Sequence, residues 1–176
     1  MSELEDALPG TMVRSLQDQL KRIDGVEQDI EQLEKQIGGW HKQEAACQAI
    51  AAVPGIGRLT ATALVATIGD AKTFRSGREF ASFLGLVPRQ SGTGGKVWLG
   101  GISKRGDPYL RTLLIHGARS VMHHSKTPST WQKAIQERRP ANVEAIALAN
   151  KMARTAWAIL AHGSTYEKDR MSVRPT

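Results

Sequence analysis

The sequence predicts a mainly α-helical protein: a long N-terminal coiled-coil-like helix, then a compact helical domain with a helix-hairpin-helix-like turn and a long glycine-rich loop. Three observations predict this. Apolar residues recur at helical spacing from Leu16 to Trp40. Two apolar stretches flank the tight turn Pro54-Gly55-Ile56-Gly57. A broad apolar face runs from Ala145 to Leu160, and its small residues permit close helix contact. The implied division is a helical arm over 1–45, a domain over 46–162 and a flexible tail over 163–176.

Residues 1–11 read as frayed, with Pro9-Gly10 as a break. In the arm, Ile23, Ile30 and Ile37 fall seven apart, as do Val26, Leu33 and Trp40, with Arg22, Glu27, Asp29 and Glu34 alongside. Isoleucine at a, with aliphatic residues or Trp at d, favours a parallel two-stranded coiled coil. Gly25, Gly38 and Gly39 weaken the helix by about 1 kcal/mol each relative to alanine. Two readings stay open: self-association through residues 16–40 into a homodimer or higher oligomer, or an amphipathic helix packed on its own domain.

Residues 42–52 read as a second helix, ended by Val53-Pro54. The Gly55-Ile56-Gly57 turn before the next helix offers backbone N–H groups at that helix's positive end. A phosphate can sit there, with Arg58 beside it, without any base being read. A dinucleotide turn fits poorly, because Thr60 stands at the third glycine position, Pro54 precedes the first glycine and Asp70 comes too soon. A purely structural turn remains the other reading. Next, Ser76 and Glu79 form a capping-box pattern for a helix whose Phe80, Phe83 and Leu84 would face the core.

From Phe83 to Arg111 the chain is glycine-rich and cationic. Gly92, Gly94 and Gly95 let backbone approach a ligand closely. Arg89, Lys96, Lys104, Arg105 and Arg111 make that ligand an anion, and Ser91 and Ser103 put hydroxyls among them. A Walker phosphate loop fits poorly, since Val97 follows Gly95-Lys96 and Gln90 replaces the first glycine. At most a small strand pair near Lys96–Leu99 interrupts the loop. On the residues alone, Ser91 reads either as a nucleophile towards a phosphodiester or as a phosphate hydrogen-bond donor or turn residue. The loop holds no carboxylate base to activate it.

Asp107-Pro108 opens a further helix through Leu110, Leu114 and Gly117. His116 and His123 share a face of it, but no carboxylate or cysteine stands at metal-ligand spacing, so no metal site is assigned. Pro128 to Arg138 predicts a short helix. Asn142 is the expected cap of the last helix, whose Trp157 reads as core and which His162-Gly163 ends; Tyr166 to Thr176 form a polar tail.

Charge is divided unevenly. Residues 1–50 hold 5 Lys/Arg against 10 Asp/Glu, net −5, and residues 51–176 hold 19 against 7, net +12. A basic block of that size suggests a polyanion partner. Cys47 is the lone cysteine, which excludes an intramolecular disulfide and a cysteine-cluster zinc site. No signal-peptide core and no membrane-length apolar run is present, so a cytoplasmic location is expected.

The stretches VPGIGRLTATALVATIGD and FRSGREFASFLGLVPRQSGTGGKVWLGGISKRGDPYLRTLLIHGAR resemble the C-terminal domain of the DEDD-type insertion-sequence transposases (the IS110, IS116 and IS902 group), relatives of the Piv-type DNA invertases. The resemblance covers about residues 50–160, and residues 12–45 resemble the end of the helical region that precedes this domain. It implies DNA strand cleavage and rejoining in transposition or site-specific recombination. It implies a separate RuvC-like domain whose acids hold a divalent metal such as Mg, and DNA with a structured guide RNA as partners. The family's serine, in its Ser-Gly motif, falls on Ser91-Gly92, with Ser103 in Ile-Ser-Lys-Arg-Gly as second choice. The sequence departs from the family in lacking the metal-binding domain, so the chain is expected to bind nucleic acid and to be inactive alone, with no cofactor of its own. The alternative is a non-catalytic nucleic-acid-binding module. A coiled-coil assembly subunit without nucleic acid would leave the basic block unexplained.

Overall fold

The computed structural model describes residues 8–126 and 128–167. It is mainly helical, as expected. The chain divides into two units, Met1–Trp40 and His41–Thr176. The first is formed by helix α1 (Gly10–Gln43), which enters the second unit only with its last residues. The helix starts where the Pro9 carbonyl accepts the Met12 and Val13 amides, at 2.8 and 3.2 Å. It runs unbroken through Gly25, Gly38 and Gly39. Ile23, Val26, Ile30 and Leu33 are 51–57% exposed, so the described residues of this unit form no core of their own.

In the second unit, α2 (Ala45–Ala51) and α3 (Arg58–Ile68) pack on each other across the Pro54–Gly57 turn. A 3-10 turn (Ala71–Thr73) and α4 (Gly77–Phe83) follow, then strands β1 (Pro88–Thr93) and β2 (Lys96–Ile102). Helices α5 (Pro108–His124), α6 (Thr130–Gln136) and α7 (Ala141–His162) complete it. The others gather around α7, which touches α2, α4, α5, α6 and the 3-10 turn. Its Ala145, Ala149, Ala153 and Ala156 are buried, and such small side chains let neighbouring backbones come close. From α5, Leu110, Leu114 and Ala118 repeat every fourth residue and are fully buried. Cys47, Ile50, Leu64, Phe80, Leu84 and Leu86 fill the remaining core. Burial pushes the Cys47 thiol above its ordinary pKa, and the charge of Glu44 adds to this.

Local signals explain most helix ends. Asp107 accepts the Tyr109 and Leu110 amides at 2.7 and 3.1 Å, with Pro108 in the first turn. Ser129 and Gln132 form a reciprocal capping box on α6. Gly163 ends α7 in the left-handed region. Trp157 packs on the core, as expected, and donates its Nε1–H to the Ala71 carbonyl at 3.0 Å.

Five expectations change. Pro88–Thr93 is a strand rather than loop, because it pairs with β2 across a two-residue turn. Phe83 is 43% exposed; its ring stacks on Phe80 and lies tilted against Phe74 from outside the core. Ser76 caps α4 by accepting the Glu79 amide at 3.2 Å, but the Glu79 carboxylate takes the Arg75 amide at 2.7 Å instead of that of Ser76, so the box is not reciprocal. Asn142 lies inside α7, which starts behind Pro140, and accepts a hydrogen bond from Arg119 at 3.2 Å. Tyr166 packs against the core, and the rest of the expected tail, from residue 168, lies outside the described residues, as do residues 1–7 of the expected frayed start.

One contact seats the first glycine turn. Gly55 has φ 88°, and its carbonyl lies directly against Gly117 of α5. A Cβ on Gly117 would overlap that carbonyl, and one on Gly55 would meet Met152 Cε at 2.7 Å. Gly57, by contrast, has open space around it. Gly117→Ala should therefore destabilise the fold by about 1–3 kcal/mol through overpacking. Gly57→Ala should cost at most about 1 kcal/mol, as a change of helix cap. Urea denaturation of both variants checks the contrast.

Candidate nucleic-acid interface

The glycine-rich segment is an antiparallel hairpin on an anchored base. Gly94 and Gly95, at φ 58° and 81°, make the two-residue turn that suits right-twisted strands. Thr93 pairs with Lys96, Gly92 with Val97, Ser91 with Trp98 and Gln90 with Leu99. The register then slips by one residue, leaving Pro88 opposite Ile102. Gly92 is required here, since a Cβ would overlap the Lys96 carbonyl. Every residue of both strands is exposed except Ile102, which is half-buried.

Four successive carbonyls hold the base. That of Leu84 accepts Arg111 Nη1 at 3.1 Å and that of Gly85 the Lys104 amide at 3.2 Å. The Leu86 carbonyl accepts Asn150 Nδ2 at 3.1 Å and the Val87 carbonyl the Ser103 amide at 2.8 Å. Leu84 and Leu86 are buried below, so these acceptors would be costly to leave unpaired. The two sides of the base approach backbone to backbone: a Cβ on Gly85 would overlap the Arg105 carbonyl, and one on Gly106 that of Phe83. Lys104 takes up φ 54°, unusual for a residue with a side chain.

The expected site residues sort onto this frame. Arg89 and Lys96 lie on the hairpin, and Lys104 and Arg105 are exposed on the base loop. With a rise of about 3.3 Å per residue, Lys96 at the tip stands roughly 20 Å from Ile102, so the cations are strung along an arm and do not ring a concave seat. Arg111 is half-buried and spent on the Leu84 carbonyl. Ser91 is exposed in mid-strand. Ser103 is different: its Oγ is shielded from solvent and has no hydrogen-bond partner. Between Glu79 and Asp107 the sequence has no acid, so the hairpin contains no general base.

Gly55 and Gly57 belong to a second turn. Gly57 stands before α3 with no side chain capping the helix, and Arg58 is exposed beside it. Because Gly55 lies against Gly117, nine residues along α5 from Pro108, this turn stands roughly 14 Å of helix axis from the start of α5 beside the hairpin base. His116 and His123 are exposed, and among the described residues no three of His, Cys, Asp and Glu could hold a metal ion. None of the described residues therefore fits a divalent metal, which the resemblance assigns to a separate RuvC-like domain. Two features escaped the sequence reading. One is Trp98, 70% exposed opposite Ser91, signalled only by a tryptophan inside a glycine-rich, cationic segment. The other is Asn150, whose amide reaches across 64 positions of sequence and left no local sign.

The sequence profile described as the Transposase IS116/IS110/IS902 family matches residues 47–134, half of the chain. A "Probable family 20 transposase" of Pseudomonas aeruginosa is 50% identical over 161 residues, covering 89% of this chain and 47% of that protein. The "Transposase for insertion sequence element IS1111A" of Coxiella burnetii is 45% identical over 137 residues, covering 76% and 38%. The "Transposase for insertion sequence element IS1328" of Yersinia enterocolitica is 39% identical over 168 residues, covering 93% and 50%. The chain spans about half the length of these curated relatives or less. No helix among the described residues is long and apolar enough to cross a membrane.

Removing a partner of the base carbonyls should loosen the hairpin's anchor. Arg111→Ala and Asn150→Ala should each destabilise by about 1–3 kcal/mol by stranding a carbonyl. Lys96→Ala at the exposed tip should stay within about 0.5 kcal/mol of wild type. Chemical denaturation measures all three, and faster amide exchange at Ser103 should accompany the first two.

Proposed function

The chain belongs to the IS116/IS110/IS902 transposase family, and from that premise we propose that it is the DNA-binding C-terminal part of a transposase or site-specific recombinase. The observation that carries this reading is the exposed, acid-free hairpin with cations along its length and Ser91 in its middle. Arg89, Lys96, Lys104 and Arg105 contact the sugar–phosphate chain, with Gly92, Gly94 and Gly95 giving the backbone room to approach. Gly55, Gly57 and Arg58 hold a second phosphate at the start of α3, where no side chain competes for the amides.

Ser91 is the nucleophile of strand cleavage in this reading. Its Oγ forms a bond to phosphorus while the bond from phosphorus to the leaving strand's oxygen breaks. The serine proton passes to a base, and the leaving oxygen gains one. The hairpin supplies the hydroxyl, positioning and positive charge, but neither the base nor a metal. Both belong to a RuvC-like half outside these 176 residues. Access favours Ser91 over Ser103, whose hydroxyl is shielded. A structured guide RNA is a further partner in the whole recombinase, and its DNA substrate sets a cytoplasmic location. The second reading, a non-catalytic nucleic-acid-binding module, is favoured by one observation: the hairpin has no carboxylate.

Helix α1 joins two copies through the Ile23–Ile30–Ile37 seam, since its apolar residues stand half exposed.

Binding to a labelled duplex should fall steeply with salt. Four cation–phosphate contacts predict a slope of log K against log salt of about −3 to −4. Fluorescence anisotropy across a salt series reads it, and binding indifferent to salt would refute the phosphate contacts. Ser91→Ala should leave affinity within about twofold, well under 1.4 kcal/mol. In the whole recombinase it should abolish the covalent protein–DNA adduct; an adduct that survives points away from Ser91. Ile23→Glu with Ile30→Glu should convert a dimeric mass into a monomeric one in light scattering.

A further inference from the structure

The hairpin exposes more apolar surface than a cationic loop needs. Val97, Trp98 and Leu99 are 66, 70 and 66% exposed. A lone two-stranded hairpin is marginal in water, and this one packs on little beyond its base. The register divides the three residues between two faces. Val97 and Leu99 lie opposite Gly92 and Gln90 on one. Trp98 lies opposite Ser91 on the other. Lys96 shares that face by alternation, and Arg89 shares it because its Cβ neighbours the Gly100 position.

A single face therefore presents an indole, a hydroxyl and two cations, with no acid between Glu79 and Asp107. Its charge rejects an acidic-rimmed environment and suits a phosphate chain. Its ring suits something flat. Duplex bases are stacked inside the helix and present only their edges, whereas unpaired bases offer a face to an aromatic side chain. Directly opposed residues of an antiparallel pair have Cβ atoms about 4.5–5.5 Å apart. Ser91 and Trp98 are thus close enough to address the phosphate and base of one nucleotide.

Resting on the nucleic-acid reading above, we infer that the hairpin takes an unpaired nucleotide, with Trp98 stacking on its base while Ser91, Arg89 and Lys96 face its phosphate. The strand is opened at the point where it meets Ser91. The ring holds the nucleotide in register, and the cations supply affinity that carries no sequence information.

The test uses the full chain, a short labelled oligothymidylate, the same strand with abasic positions, an oligouridylate of equal length and a blunt duplex. Trp98→Ala should weaken binding to oligothymidylate about tenfold, the loss of one stacked base. Abasic positions should weaken wild type by a similar factor but leave Trp98→Ala unaffected. Trp98→Phe should recover most of the loss, and Leu99→Ala, on the other face, should stay within about twofold of wild type. Tighter binding of oligothymidylate or oligouridylate than of duplex supports the inference, and the tighter of the two names the strand. The inference is overturned if Trp98→Ala binds as wild type does, if the abasic strand binds wild type undiminished, or if single strand and duplex lose equally. The abasic comparison uses unmutated protein, so misfolding of a variant cannot decide it. Salt-sensitive binding without these effects sinks the stacking alone; no binding to any strand sinks the nucleic-acid reading with it.

Discussion

Backbone carbonyls that must find donors govern this structure. Leu84 to Val87 lie over buried leucines, where an unpaired acceptor is costly. Their four partners come from three places: Arg111 on α5, Asn150 on α7, and Ser103 and Lys104 in the loop that follows β2. The hairpin cannot move without breaking several of these bonds at once. The glycines at 85 and 106 make the arrangement possible, because any side chain there would hold the two backbones apart.

The helices serve that anchor. α7 supplies a small-residue surface on which α4 and α5 both rest, and Asn150 on the same helix reaches the Leu86 carbonyl. α5 links the two glycine turns, with Asp107 capping it beside the hairpin base and Gly117 receiving Gly55 further along. Under the proposed function rigid placement matters, because positioning and charge supply most of what a protein contributes to phosphoryl transfer. A serine on an exposed strand gains precision only from what fixes the strand's ends.

The chemistry of the hairpin is incomplete by its own composition. It has a hydroxyl, cations and a tryptophan, but no acid between Glu79 and Asp107. Absence of acids favours the approach of a polyanion and at the same time removes any local base. Under the proposed function the two consequences fit a division of labour, with grip and nucleophile on one part and proton acceptance on another.

Local physics made much of this legible in the residues. Asp107-Pro108, Ser76 with Glu79 and His162-Gly163 announce helix ends because capping acts over a few residues. The periodicity of α1 and α7 gave their faces. Other features needed the folded chain. Pro88–Thr93 resembles loop because strand formation there depends on a partner across the Gly94-Gly95 turn, and pairing energy is not local. Arg111 and Asn150 look like ligand-facing or surface residues until the carbonyls they meet are known. Gly55 suggests a phosphate turn by pattern, but its contact with Gly117 rests on two segments 62 positions apart. Ser91 and Ser103 are equivalent hydroxyls in the sequence; only packing and register expose one opposite Trp98 and shield the other.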